Sequence, residues 1–466
     1  MSEVRVVQGI PNQLTVSAAP RPESTGQDPG SGARLGWLDA LRGFAALAVV
    51  FQHAGPELMP GLYRPSHQWL DAGIFGVFLF FLISGYIVPA SLERRGDLRA
   101  FWAGRLFRIY PLYLAVFVLA LLLLPQAHAG VAMTVYQHPW LSAAADGVLL
   151  QDLLGVPNGL SVAWTLSYEM VFYYLVSALF LVGWHRRSAP VAVGFATVAL
   201  VCGGLLPTAL LARGAGEQQV VVAAVLLVVV TALVGVLSGT RAGIRTGVLA
   251  LGLVGLVLVV LNGRSAPFQS MMILATMFTG TAIHRAEKGQ IKRRHAVACC
   301  AFVFTAGLLA GYFHAGASLG VIWTANTSAW CNAFAAAWLV FGIGMLTRGH
   351  RVPRALCRLG TTSYAVYLVH VPLLRVAEWV LADAHYSPHR HRLQEAACMG
   401  AFTAVVLLVA EVLHRLVELP GQRLGRRVLG RLSPVPPAGP PAPAAGPPAV
   451  RPADQGKPNL AGQRPG

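Results

Sequence analysis

Residues Leu38–Gly55 read LDALRGFAALAVVFQHAG. The stretch is apolar enough for a membrane-spanning helix, yet it carries Asp39, Arg42 and His53. A charged side chain within a bilayer costs several kcal/mol, so it marks a candidate functional site. Arg42 and His53 are eleven residues apart. At 100° per residue they differ by about 20° in azimuth and lie about 16 Å apart along the helix axis. They share one face, and Asp39, three residues before Arg42, is near enough to pair with it. A snorkelling arginine and an interfacial histidine would explain the same residues without chemistry.

The rest of the chain has the same character. Of its 466 residues 55% are hydrophobic and only 12% charged, against about 25% charged in soluble domains. Apolar runs near 20 residues recur, long enough to cross roughly 30 Å of hydrocarbon as helices. The runs are continuous, without the alternation of a transmembrane barrel. The expected fold is all-α, a polytopic bundle of about 10–12 spans. Candidate spans are 37–55, 70–90, 108–124, 161–184, 189–211, 218–238, 246–262, 268–284, 296–315, 330–347, 362–381 and 396–415.

The net charge of +17 follows topology rather than nucleic acid. With the N-terminus inside, about 29 Lys and Arg fall in inner segments and about 5 in outer loops, the positive-inside pattern. ERRGDLRAFWAGRLFR, HRAEKGQIKRRH and RGHRVPRALCR all fall inside, and 112–185 holds no Lys or Arg. Both termini are thus expected in the cytoplasm and the protein in the inner (plasma) membrane. Residues 1–34 and 425–466 are expected to be disordered, the latter a Pro/Ala/Gly-rich tail, around a membrane domain at 35–424. LSAAADGVLLQDLL is expected to form a short surface helix. The six cysteines lack metal-ligand spacing and read as buried small residues; no metal site is expected.

Three further spans carry polar residues. In WTLSYEMVFYYLV, Thr165, Glu169 and Tyr173 follow i, i+4 spacing and share a face. The carboxylate serves either as a buried structural group or as part of a site. In TTSYAVYLVHVPLL, Ser363, Tyr367 and His370 share a face before the kink at Pro372. His370 is either a helix-to-helix hydrogen-bonding group or a catalytic one. Arg105 and Arg108, three apart at the start of a span, are either topological anchors or a clamp for an anionic phosphate.

Taken together, LDALRGFAALAVVFQH, FGVFLFFLISGYIV, RLFRIYPLY, WTLSYEMVFY, TTSYAVYLVHVPLL and HRLVELP resemble, in order across about 37–424, the membrane-bound acyltransferase-3 family. The resemblance implies transfer of an acyl group, often acetyl, from acyl-CoA as co-substrate to a hydroxyl. The acceptor is a carbohydrate, an exopolysaccharide or cell-envelope glycan, or a glycosylated metabolite. No bound cofactor is implied. The resemblance also implies that His53 is catalytic and that Arg42, Arg105 and Arg108 serve the donor. Glu169 would orient His53 as carboxylates do in triads, and an acyl-histidine intermediate is an alternative route. Asp39, Ser84, Tyr173, Tyr367 and His370 are supporting residues. Many members carry a second acidic residue where this chain has Met170, and members have about ten spans. A secondary transporter is the competing reading, since transporters also bury Arg, His and Glu, but no internal repeat favours it.

Overall fold

The computed structural model of the chain describes residues 29–123, 134–263, 266–318, 322, 324–383 and 391–432. Among them all regular structure is helical, with no strand. The helices are α1 (Pro29–Leu58), α2 (Pro60–Trp69), α3 (Ala72–Arg95), α4 (Leu98–Leu123), α5 (Thr134–Gln137), α6 (Pro139–Gly147), α7 (Trp164–Leu181), α8 (Ser188–Cys202), α9 (Ala215–Ser238) and α10 (Arg241–Leu261). They continue with α11 (Pro267–Glu287), α12 (Arg293–His314), α13 (Thr327–Thr347), α14 (Arg354–Thr361), α15 (Ser363–Asp383), α16 (Arg392–Leu413) and α17 (Leu419–Leu432).

Among the described residues nine helices are long and apolar enough to cross a membrane. The remaining three expected spans also form helices, each with a physical reason for standing apart. α1 carries Asp39 and Arg42. α8 ends at Cys202, before Gly203 and Gly204, and so has 15 residues rather than the 23 of the expected 189–211. α11 is a central helix whose Gln269, Ser270, Thr276, Thr279 and Thr281 are all buried by neighbouring helices.

α3 and α11 form the middle of the bundle and cross closely. A Cβ added at Gly85 would stand 1.9 Å from the Met277 carbonyl oxygen, and one at Gly280 2.4 Å from that of Leu82. Only glycine admits such an approach, a packing device common where lipid gives no hydrophobic drive. α1 is fixed in the same way: a Cβ at Gly360 would stand 1.9 Å from the carbonyl oxygen of Asp39.

Helix ends differ from expectation in three places. α1 begins at Pro29 and α17 runs to Leu432, so residues 29–34 and 425–432 are helical rather than disordered. The remainder of both expected disordered segments lies outside the described residues. The expected surface helix is α6 followed by a 3₁₀ turn at Gln151–Leu154, and it is not on the surface. Leu149, Leu150, Leu153 and Leu154 are wholly buried, because the turn packs against α7, α9 and α10. Between α16 and α17 the chain makes a π turn at His414–Glu418. Pro420 has no N–H for the carbonyl four residues back, and a local widening absorbs that loss.

Candidate active site

Five helices leave a cavity between them, with ≈ 70 Å³ open to the centres of water-sized molecules. That is room for several waters. α1 contributes Arg42, α3 Val77, Phe80, Phe81 and Ser84, and α4 Arg108 and Ile109. α7 gives Thr165, Leu166, Glu169 and Tyr173, and α15 gives Ser363, Tyr364 and Tyr367. The i, i+4 face of α7 thus lines the cavity as its spacing predicted. Tyr364 joins it although it was not among the residues singled out from the sequence. Tyr364, three before Tyr367, already had the helical spacing that would have found it.

Arg42 and Arg108 make neither an ion pair nor a hydrogen bond among the described residues. Asp39 lies within electrostatic range of both but does not form the expected ion pair with Arg42, whose guanidinium turns into the cavity. Glu169 is also in range of Arg42, while its carboxylate accepts the hydrogen bond of Tyr173 OH.

Arg105 does not face the cavity with Arg108. It is buried, donates from Nη2 to Ser91 Oγ at 2.9 Å, and stacks between two rings. Its guanidinium carbon lies 5.3 Å from the centroid of Phe101 and 5.1 Å from that of Tyr173. Such cation–π contacts are strong when desolvated. Three residues turn a helix by 300°, so the two side chains diverge by about 60°, and on α4 Arg108 lines the cavity while Arg105 packs behind it against Tyr173. Arg105 therefore braces the tyrosine that braces Glu169.

Tyr367 lines the cavity, and its OH donates to Val162 O at 2.8 Å and lies 2.8 Å from Thr165 Oγ1. Outside the cavity lining, His53 and His370 meet. His53 Nδ1 lies 3.2 Å from His370 Nε2, with ring centroids 5.0 Å apart. His370 is completely buried; His53 is partly exposed. Among the described residues no hydrogen bond joins Glu169 to His53, so the expected orienting carboxylate is absent from the histidine. Glu169 stays at the arginine end because its own i+4 tyrosine takes the carboxylate.

A buried acid lies between α4 and α7. Asp146 on α6, 4% exposed, accepts from Tyr113 OH at 2.7 Å and from Gly159 N at 3.3 Å. Burial pushes its carboxyl up to about 6, against the pull of those two donors.

Comparison with known proteins bears on this arrangement. The chain is 27% identical over 437 residues to "Acyltransferase MdmB" of Streptomyces mycarofaciens, covering 88% of this chain and 96% of that protein. It is 30% identical over 151 residues to "Putative O-acetyltransferase SACOL0978" of Staphylococcus aureus strain COL, covering 29% of this chain and 23% of that protein. Over 199 residues it is 25% identical to "Putative peptidoglycan O-acetyltransferase YrhL" of Bacillus subtilis strain 168, with coverages of 39% and 30%. No solved structure matches the chain. The acyltransferase-3 family model, described as an acyltransferase domain, matches residues 35–413. The helices, the polar cavity and this match together make the chain a multi-pass membrane acyltransferase of the acyltransferase-3 family.

Proposed function

We propose that the protein transfers an acyl group, in the simplest case acetyl, from acyl-CoA to a hydroxyl of a sugar, either in a cell-envelope glycan or on a glycosylated metabolite. The observation that carries this reading is the pair of guanidinium groups, Arg42 and Arg108, lining one cavity with no ion pair or hydrogen bond to either among the described residues. Guanidinium forks suit phosphate, and these two, both in range of Asp39 and Arg42 also of Glu169 but bonded to neither, are free to take a bound anion. The inner-to-outer bias of Lys and Arg supports cytoplasmic termini in the plasma membrane, which puts the arginine end on the side where acyl-CoA is available.

His53 acts on this reading as general base. Its Nε2 takes the proton of the acceptor hydroxyl while the oxygen attacks the thioester carbonyl. The C–O bond forms, the C–S bond breaks, and the leaving thiolate takes the proton from Nε2. The roughly 16 Å from Arg42 to His53 suits a long, thin carrier arm that passes the Tyr367–Thr165 contact.

The test supplies full-length protein in lipid nanodiscs with labelled acetyl-CoA and, in turn, methyl glycosides, soluble glycan fragments and glycosylated macrolides. Label transfer to one acceptor class is expected. CoA release that no acceptor accelerates, or none at all with every acceptor, would overturn the reading.

A further inference from the structure

The partners of the two imidazoles decide where their protons sit. A carbonyl oxygen only accepts, so a ring nitrogen hydrogen-bonded to one must carry hydrogen. His370 Nδ1 lies 3.1 Å from Val366 O, and His53 Nδ1 lies 2.9 Å from Val49 O. In the neutral rings both protons are therefore on Nδ1, and both Nε2 atoms are bare. The 3.2 Å contact between His53 Nδ1 and His370 Nε2 then has one direction. His53 donates its Nδ1 proton, shared with Val49 O, and His370 accepts. The reverse would set two bare nitrogens against two carbonyl oxygens. His53 Nε2 is left with no hydrogen bond among the described residues, as a base needs.

We propose that His370 is the positioning residue of His53, holding its ring in the Nδ1–H tautomer and accepting from the imidazolium that forms during transfer. The proposal deepens the base reading above and rests on it. His370 fits the task because it is itself immobile. It is completely buried, tied to its own helix by Val366 O, and flanked by Tyr367 and Pro372. As Nε2 of His53 takes the hydroxyl proton, the ring becomes cationic and its Nδ1–H bond to His370 becomes charge-assisted and stronger. An interaction that strengthens as charge develops is the kind that lowers a barrier. No proton passes to His370: the Nδ1 proton stays on His53, and the Nε2 proton leaves with the thiol. A neutral imidazole does this without bringing a buried anion into the membrane, which a triad carboxylate would require.

The experiment compares His370→Gln with His370→Met in full-length protein, with acetyl-CoA and methyl glycosides, beside His53→Ala. Glutamine can bring a carbonyl oxygen to where Nε2 stands; methionine has similar reach and only a weak acceptor. The Met variant should lose about 10–100-fold in kcat, with KM for acetyl-CoA within about twofold, and the Gln variant should recover most of that loss. In the His53→Ala background, His370→Met should cause no further loss, since the two act as one unit. Wild-type kcat in His370→Met while His53→Ala is inactive overturns the positioning role alone. Wild-type turnover in His53→Ala overturns the base reading beneath it. Equal losses in Gln and Met, both with wild-type thermal unfolding, assign His370 to packing or direct chemistry and overturn the inference.

Discussion

At the Arg42 end of the site two guanidinium groups line a cavity with no carboxylate hydrogen-bonded to either among the described residues, whereas at the His53 end two imidazoles close on one another and on helix carbonyls. The two ends solve the burial problem differently. A permanent cation in a membrane bundle needs water, an anion or polar and aromatic partners, and Arg42 and Arg108, which lack the Ser91 and ring contacts of Arg105, have the cavity instead. A neutral imidazole pair satisfies its own donors and can be sealed. The first end is built to be completed by something that arrives; the second is complete until charge develops.

The contrast can be broken most severely at the histidine end. His53→Ala is expected to lower turnover by a factor on the order of 10²–10⁴ while leaving the protein inserted and folded, measured by acetyl transfer and by thermal unfolding in detergent. A well-folded variant with comparable turnover would move the base elsewhere. At the arginine end the effect should appear in KM. Arg108→Ala, and Arg42→Lys through loss of the planar fork, should raise KM for acyl-CoA about tenfold, with less effect on the acceptor. Arg105→Ala should do less to KM and instead lower stability, because its guanidinium stacks between Phe101 and Tyr173. Equal donor kinetics in Arg105→Ala and Arg108→Ala would erase the distinction between them.

Glu169→Gln sharpens the comparison further. The carboxylate belongs to the arginine end, so the change should alter donor KM more than kcat. A collapse of kcat alone would return Glu169 to the histidine. The smallest effect concerns Asp146, buried on α6 and bonded to Tyr113 and Gly159. Its folded carboxyl sits near 6 through burial, above the unfolded value, so the folded state binds the extra proton. Stability should therefore fall as pH rises from about 4 to 6 and stay lower above that. Asp146→Asn should flatten this slope, changing Tm by roughly 1–3 °C across the window; an unchanged slope would place the titration on another group.

Much of this was readable along single helices. Apolar runs located the twelve long helices, though not the short α2, α5, α14 and α17, and i, i+4 spacing put Thr165, Glu169 and Tyr173 on one wall because helical periodicity is local. Which helix a face meets is not local. The sequence offered Glu169 as the partner of His53, but that pairing depends on the relative rotation of α1, α7 and α15. Those rotations depend on packing against further helices, such as Gly360 of α14 against Asp39 of α1 and Gly252 of α10 against Ala178 of α7. The apparent pair Arg105 and Arg108 separated for the same reason: about 60° of azimuth is enough for one side chain to line the cavity and the other to pack among Phe101, Tyr173 and Ser91.

α1 carries one residue of each end, Arg42 and His53, and α15 does the same with Ser363 and His370. The distance between the two chemistries is therefore written into covalent structure as a fixed number of residues, like graduations on a ruler. A single residue inserted between Val49 and Val50 would turn His53 by about 100° and advance it by about 1.5 Å, leaving Arg42 where it is. On the proposed reading, the length of carrier the site can measure is thus a property of helix register, and register, unlike side-chain identity, admits no small change.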